Sequence, residues 1–268
     1  MIDFAQMLEP NGIPFTWGTT ELDKTLSPIE RNHMILFAGE QGSGKTAYTL
    51  DMAIRNAKLG HRVVYVTLEM TRKQMLTRVA RSYAGITPEE WRTKNIPECK
   101  KDPFIRKGNE LSAINNLQIV GTEMVMATCE ELGAMVRTAE ADLMIIDNLD
   151  LINRESGEDE ISGDMRITKF FMEFTSEYNI PVLLVHHFNK MGKIRGSQKI
   201  VDNADMVMFG SRDKDPDACR EAKARFSIVQ GKDREFGNFA SVNIYFRSGS
   251  FYDSLEDLKT NEVKQLFS

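Results

Sequence analysis

Residues Gly39-Glu40-Gln41-Gly42-Ser43-Gly44-Lys45-Thr46 satisfy the pattern G-x-x-x-x-G-K-[ST]. The pattern works only where a buried strand turns into a helix. There the glycines let backbone N–H groups converge on phosphate oxygens at the helix N-terminus. Both flanks meet that demand. Met34 to Gly39 (MILFAG) is a short apolar run, and Lys45 to about Leu59 has helical periodicity. Lys45 is placed to reach β- and γ-phosphates, the Thr46 hydroxyl to bind Mg²⁺, and Ala47 to continue the turn around the phosphates. ATP and Mg²⁺ are the expected ligands.

The rest of the chain alternates apolar runs with amphipathic stretches. Strands are expected at Arg62 to Glu69, Leu117 to Gly121, Asp142 to Leu149, Pro181 to His187 and Met206 to Ser211. Helices are expected up to about Tyr83, near Glu130 to Ala139, and from Ile161 to Tyr178 with Phe170, Phe171 and Phe174 inward. Strands this apolar, separated by helices, predict an α/β fold with a mainly parallel central sheet covered on both faces. From Arg225 onward, RFSIVQGK, SVNIYF and SFYDS read as short strands joined by turns, an antiparallel C-terminal edge. Asn95 to Glu110 holds two prolines and several charges and reads as a surface connection. Residues 1–12 hold no strand. They read equally as an arm that docks on a neighbouring subunit or as a frayed terminus, ahead of one domain over 13–268.

Composition narrows the class further. The 268 residues are 41% hydrophobic and 27% charged, ordinary for a globular protein. No apolar run approaches the roughly 20 residues that cross a bilayer, so no membrane partner is expected. The start, MIDFAQMLEP, lacks a basic segment followed by an apolar one. Cys99, Cys129 and Cys219 form no CxxC pair, which fits a reducing cytoplasm. A net charge of −5 excludes a chain coated in basic charge, but not a local basic stripe.

Two acids extend the phosphate site. In DLMIIDNL, apolar residues deliver Asp147 to a strand end, where it can hold Mg²⁺ through water. In VTLEM, Glu69 closes the strand after the phosphate-loop helix, where a carboxylate can polarise the attacking water.

Together these pieces resemble the ATPase domain of DnaB-type replicative helicases, over about Gly12 to Phe246. GIPFTWGTTELDKTL looks like the segment that leads into that family's phosphate loop. VTLEM followed by a helix and YAGI looks like its strand with the catalytic Glu, and IIDNLDLI like its Walker-B strand. IPVLLVHHFNK is similar to its sensor strand, and QGKDREFG to its segment with trans-acting Lys and Arg. The resemblance implies a RecA-like core, a homo-oligomeric, hexameric ring with ATP sites between subunits, and 5′ to 3′ movement on single-stranded DNA during replication, with primase or a helicase loader as further partners. It implies Glu69 as general base, His187 as γ-phosphate sensor, Lys232 as the lysine beside the finger and Arg234 as the arginine finger. Without it, Lys232 and Arg234 read as solvated hairpin charges. The family has Gln where His187 stands; a neutral His can also donate one hydrogen bond to a phosphate. HHFNK followed by RGSQKIVDNAD instead looks like plasmid RepA-type hexameric helicases. A metal role for His186 and His187 is not expected, since adjacent strand residues face opposite sides and no third ligand is evident.

The resemblance also implies two loops that face DNA, after the Walker-B and sensor strands. Asn153 to Thr168 begins acidic and is a poor contact. Lys190 to Val201 is better: Lys190, Lys193, Arg195 and Lys199 surround Gly196-Ser197, whose backbone N–H groups can take a phosphate oxygen. A solvated loop is the alternative there. Two other functions remain open: a RecA-like ATPase that acts in recombination without unwinding, and a KaiC-like or loader-like nucleotide switch that acts on protein partners.

Overall fold

The computed structural model describes residues 12–124, 127–187, 198–212, 224–254 and 256–257. Strands β1 (Met34–Gly39), β2 (Val63–Thr67), β3 (Leu117–Val120), β4 (Leu143–Asp147), β5 (Val182–His187) and β6 (Met206–Arg212) run parallel. Strands β7 (Ala224–Asp233), β8 (Ser241–Arg247) and β9 (Ser250–Tyr252) continue the sheet antiparallel. The order is β3-β2-β4-β5-β1-β6-β7-β8-β9. The expected mainly parallel sheet and antiparallel C-terminal edge are both present.

Strand β1 is buried at every position because helices cover both faces of the sheet. Alternate side chains enter different cores. Ile35 and Phe37 join Tyr65, Ile145 and Leu183 under α2 (Lys45–Lys58), α3 (Arg72–Tyr83) and the aromatic side chains of the antiparallel edge. There Tyr48 stacks on Phe37 at 5.1 Å and on Phe226 at 5.6 Å between ring centroids. On the other face Met34 and Leu36 join Val64, Ile146 and Leu184 under α6 (Cys129–Thr138), α7 (Glu160–Tyr178) and α8 (Gln198–Asn203). Helix starts carry their own signals. Thr71 and Gln74 form a capping box on α3, as do Thr128 and Glu131 on α6.

The structure departs from the sequence expectations in three places. Asn95 to Glu110 is no simple connection: α5 (Glu98–Ser112) occupies most of it, with Pro97 as N-cap and Pro103 inside the helix. It packs on α3 and on α4 (Pro88–Thr93), where Lys100 Nζ lies 2.8 Å from Glu90 and the Trp91 and Phe104 rings are 5.5 Å apart. These tertiary contacts override the helix-breaking tendency of proline. Second, α7 begins at Glu160, capped by Asp159 accepting from the Ser162 N–H at 2.9 Å. The first loop expected to face DNA is therefore only 153–159, and the rest of its expected span is helix. Third, Lys199 lies exposed on α8 rather than in a loop. A short helix α1 (Thr20–Thr25) precedes the sheet, with Trp17 buried beside it and donating to the Ser27 carbonyl at 2.8 Å. Among the described residues no helix is long and apolar enough to cross a membrane.

Phe171 is fully buried in the α7 core, while Phe170 packs at its edge. Phe171→Ala should cost about 3–5 kcal/mol in urea unfolding, and Phe170→Ala clearly less. Equal losses would mean that the inward face of α7 is misassigned.

Candidate active site

The parallel register brings several sequence-predicted residues to one edge of the sheet. Gly39 at the end of β1 pairs with His187 at the end of β5, and Thr67 at the end of β2 pairs with Asp147 at the end of β4. Gly39 must be glycine, because a Cβ there would collide with the Gly210 carbonyl of β6. Gly44 caps α2 with φ 106°, a left-handed conformation that favours glycine. Glu40, Gln41, Gly42 and Ser43 form the intervening turn.

Lys45 is buried, and its ammonium donates to the Gly39 and Glu40 carbonyls, both at 2.8 Å. Burial lowers its pKa, opposed by the negative charges of Asp147, Asp150, Glu69 and Glu40. Asp147 is 5% exposed. It accepts from the Tyr65 hydroxyl at 3.1 Å and pairs with the Thr46 side chain. Burial raises the Asp147 carboxyl above its ordinary value, and Glu69 adds to this, while Thr46, Tyr65 and Lys45 oppose it. Tyr65 is itself held by Thr49, whose Oγ lies 3.0 Å from the Tyr65 hydroxyl.

These residues fit a magnesium–triphosphate group. The Thr46 hydroxyl and the Asp147 carboxylate are hard oxygen donors that already touch. Within the described residues the buried Ser43 hydroxyl has no hydrogen-bond partner inside the cradle. A bound cation would relieve the desolvation of Asp147.

Glu69 lies exposed just past β2. Asn148, the residue after Asp147, donates to Glu69 Oε1 at 2.6 Å; the Asp147–Asn148 peptide is cis. The sequence reading missed Asn148, because nothing local announces a partner 79 residues away. It also missed a cavity of about 170 Å³ beside the phosphate loop. Arg78, Arg212, Phe226 and Phe246 line it together with Gly44 and Ala47. Its aromatic and guanidinium surfaces suit a planar base attached to the phosphates.

His186 and His187 do not diverge as adjacent strand residues were expected to. Asp150 lies past the strand ends in the 3₁₀ turn Leu149–Leu151, where one carboxylate spans both. Its Oδ2 is 2.9 Å from His187 Nδ1 and its Oδ1 3.1 Å from His186 Nδ1. Burial works to raise the Asp150 carboxyl, but the two histidines outweigh burial and hold it well below the usual carboxylate range. With its Nδ1–H given to Asp150, a neutral His187 has no donor left for a phosphate, contrary to the expectation for a free ring. The expected absence of a third ligand is also corrected. Asp150, Asp164 and His186 bring ligand-type atoms within 4.8 Å of one another. Arg154 already compensates that charge, 2.7 Å from Asp164.

Lys232 and Arg234 are not at this edge. Lys232 pairs with Val207, and the Arg234 N–H donates to the Asp205 carbonyl beside Met34. Met34 to Gly39 spans about 16 Å of strand. The Lys232 ammonium caps α8 by donating to the Val201 and Ala204 carbonyls, both at 2.7 Å. Burial and the nearby Arg234 charge lower its pKa. Arg234 pairs with Asp205 at 2.8 Å and donates to the Asp202 carbonyl. Lys190, Lys193, Arg195, Gly196 and Ser197 lie outside the described residues, as do residues 1–11 of the N-terminal arm.

Residues 14–252 match the family described as DnaB-like helicase C terminal domain. The chain is 27% identical over 254 residues to the replicative DNA helicase DnaC of Bacillus subtilis, covering 88% of this chain and 54% of that one. It is 24% identical over 243 residues to a probable plasmid replicative DNA helicase of Chlamydia trachomatis, covering 85% and 52%. The chain thus spans about half the length of the curated relatives it matches. Among solved structures, a DnaB-like replicative helicase described with its interactions with primase superposes with a TM-score of 0.79 at 19% identity, over 93% of this chain and 66% of that one. That likeness shows a shared fold.

The depressed Asp150 carboxyl sets a pH dependence. A group whose folded pKa lies below its unfolded value, about 3.9, adds stability above that value and loses it as pH falls through the folded one. Asp150→Asn should therefore melt below wild type at pH 7, with the gap narrowing below about pH 4. A gap that is constant with pH would contradict the assignment.

Proposed function

The chain belongs to the DnaB-like helicase C-terminal domain family, and we propose that it is an ATP-driven DNA helicase motor whose active sites are completed between subunits. The observation that carries this reading is the placement of Arg234 at the end of the sheet opposite Lys45, about 16 Å of strand away, with Lys232 level with Leu36 and its ammonium turned onto α8. They do not serve the phosphate loop of their own subunit. In a head-to-tail ring that edge faces the next subunit's phosphate loop, and closure of such a heterologous contact gives a ring. A hexamer that moves 5′ to 3′ on single-stranded DNA is the assembly we infer.

In this reading Gly39 to Ala47 cradle the β- and γ-phosphates, and the base enters the cavity beside Arg78 and Arg212. Thr46 and Asp147 hold Mg²⁺, which when bound neutralises charge developing on the phosphoryl oxygens. Glu69, oriented by Asn148, takes the proton of the attacking water. His187 contacts the γ-phosphate. Arg234 from the neighbour stabilises the transferring phosphoryl group, with Lys232 beside it. Lys193, Arg195, Gly196, Ser197 and Lys199 bind the phosphate backbone of single-stranded DNA in the bore. Primase or a helicase loader is a further partner of such a motor.

Glu69→Gln should bind ATP with unchanged affinity while its kcat falls about 10²–10⁴-fold. Normal turnover by this variant would remove Glu69 from the mechanism. ATP hydrolysis with and without single-stranded DNA, sized under both conditions, tests the motor itself. Strong stimulation with a shift to a ring-sized species, followed by unwinding of a tailed duplex, is expected. Stimulation without unwinding would favour a recombination ATPase. Hydrolysis indifferent to DNA, from a species that never assembles, would favour a protein-directed switch.

A further inference from the structure

Asp150 belongs to none of the groups given a role above, yet it sits between the sensor strand and α7. Its carboxylate lies within hydrogen-bond distance of His187 and beside His186. Its backbone carbonyl accepts from Arg154 Nη1 at 3.3 Å, and Arg154 Nη2 pairs with the fully buried Asp164 of α7 at 2.7 Å. The Asp150 charge also reaches Lys45. The turn is thus anchored on two sides, by β5 and, through Arg154, by α7.

A histidine at a strand end can flip its ring, because the torsion about its second side-chain bond is broad and roughly two-fold. A carboxylate fixed against Nδ1 selects one flip and keeps a proton on Nδ1. The ring then offers Nε2 as its remaining polar atom. A His187 protonated on both nitrogens satisfies Asp150 through Nδ1–H and a γ-phosphate oxygen through Nε2–H. We propose that Asp150 is a positioning residue for ATP hydrolysis, holding His187 so that Nε2 meets the γ-phosphate. This rests on the sensor role given to His187 above. The alternative, a divalent cation among Asp150, Asp164 and His186, is disfavoured because the Arg154 guanidinium already occupies the positive position at Asp164.

A double-mutant cycle on the full chain, assembled on single-stranded DNA, separates positioning from packing. The four proteins are wild type, Asp150→Ala, His187→Gln and the double variant, with kcat and KM for ATP measured for each. Gln carries its own amide donor and needs no carboxylate to fix the orientation of a ring. In the wild-type background Asp150→Ala should lower kcat about 10–100-fold with little change in KM. In the His187→Gln background the same change should alter kcat by less than about twofold. An equal loss in both backgrounds would overturn the proposal, since Asp150 would then act only through packing. If His187→Ala keeps wild-type kcat, the sensor reading itself fails, and the proposal with it. Asp150→Leu, close in size and unable to accept from Nδ1–H, carries the same cycle if thermal melting shows that the alanine variant does not fold.

Discussion

The side-by-side parallel register of β2, β4, β5 and β1 is the constraint on which the site depends. It ends Thr67 opposite Asp147 and Gly39 opposite His187, so Asp147, His187 and the phosphate loop emerge at one edge. The register is enforced by burial on both faces. A slip by one residue would exchange Ile35 and Phe37 with Met34 and Leu36 between two cores that are packed against different helices. The same rigidity fixes where chemistry is not possible. Lys232 is tied to α8 and Arg234 to Asp205, away from Lys45, which is the ground on which we propose that a second copy of the chain completes the site.

Burial of charge is the second theme of the edge. Asp147 and Lys45 both lose water, and each is compensated by a specific partner rather than by solvent. Tyr65 and Thr49 form a short chain from the Asp147 carboxylate to the first turn of α2, where Thr49 also returns to the Lys45 carbonyl at 3.0 Å. Asp150 is compensated by two histidines and carries an anchored turn toward α7. Such networks are costly when half satisfied and rigid when complete, which suits groups that must be in place before a phosphate arrives.

Much of this was legible in the sequence for physical reasons that differ by element. The phosphate loop could be read because its glycines and lysine act through adjacent backbone. The buried strands could be read because runs such as LMIID have only one stable environment. Helix α5 could not, since Pro103 signals a break and only Trp91, Glu90 and α3 restore the helix. The contacts of Asn148 and Asp150 could not be read in the sequence, because their partners, Glu69 and His187, are 79 and 37 residues away and meet them only across strands. Arg234 was readable through family resemblance alone; its distance from Lys45 is a property of the sheet, not of any local pattern.

The central claim is that one subunit's phosphate loop works with the next subunit's arginine, and mixing two inactive variants tests it most directly. Lys45→Ala has no working phosphate loop but keeps Arg234, and Arg234→Ala has the reverse. If the site spans two subunits, each alone should be nearly inactive, while a co-assembled mixture on single-stranded DNA should hydrolyse ATP at interfaces that join one intact half from each. A mixture that forms mixed assemblies but stays as inactive as its parts would contradict the account, as would an Arg234→Ala protein that turns over ATP at the wild-type rate.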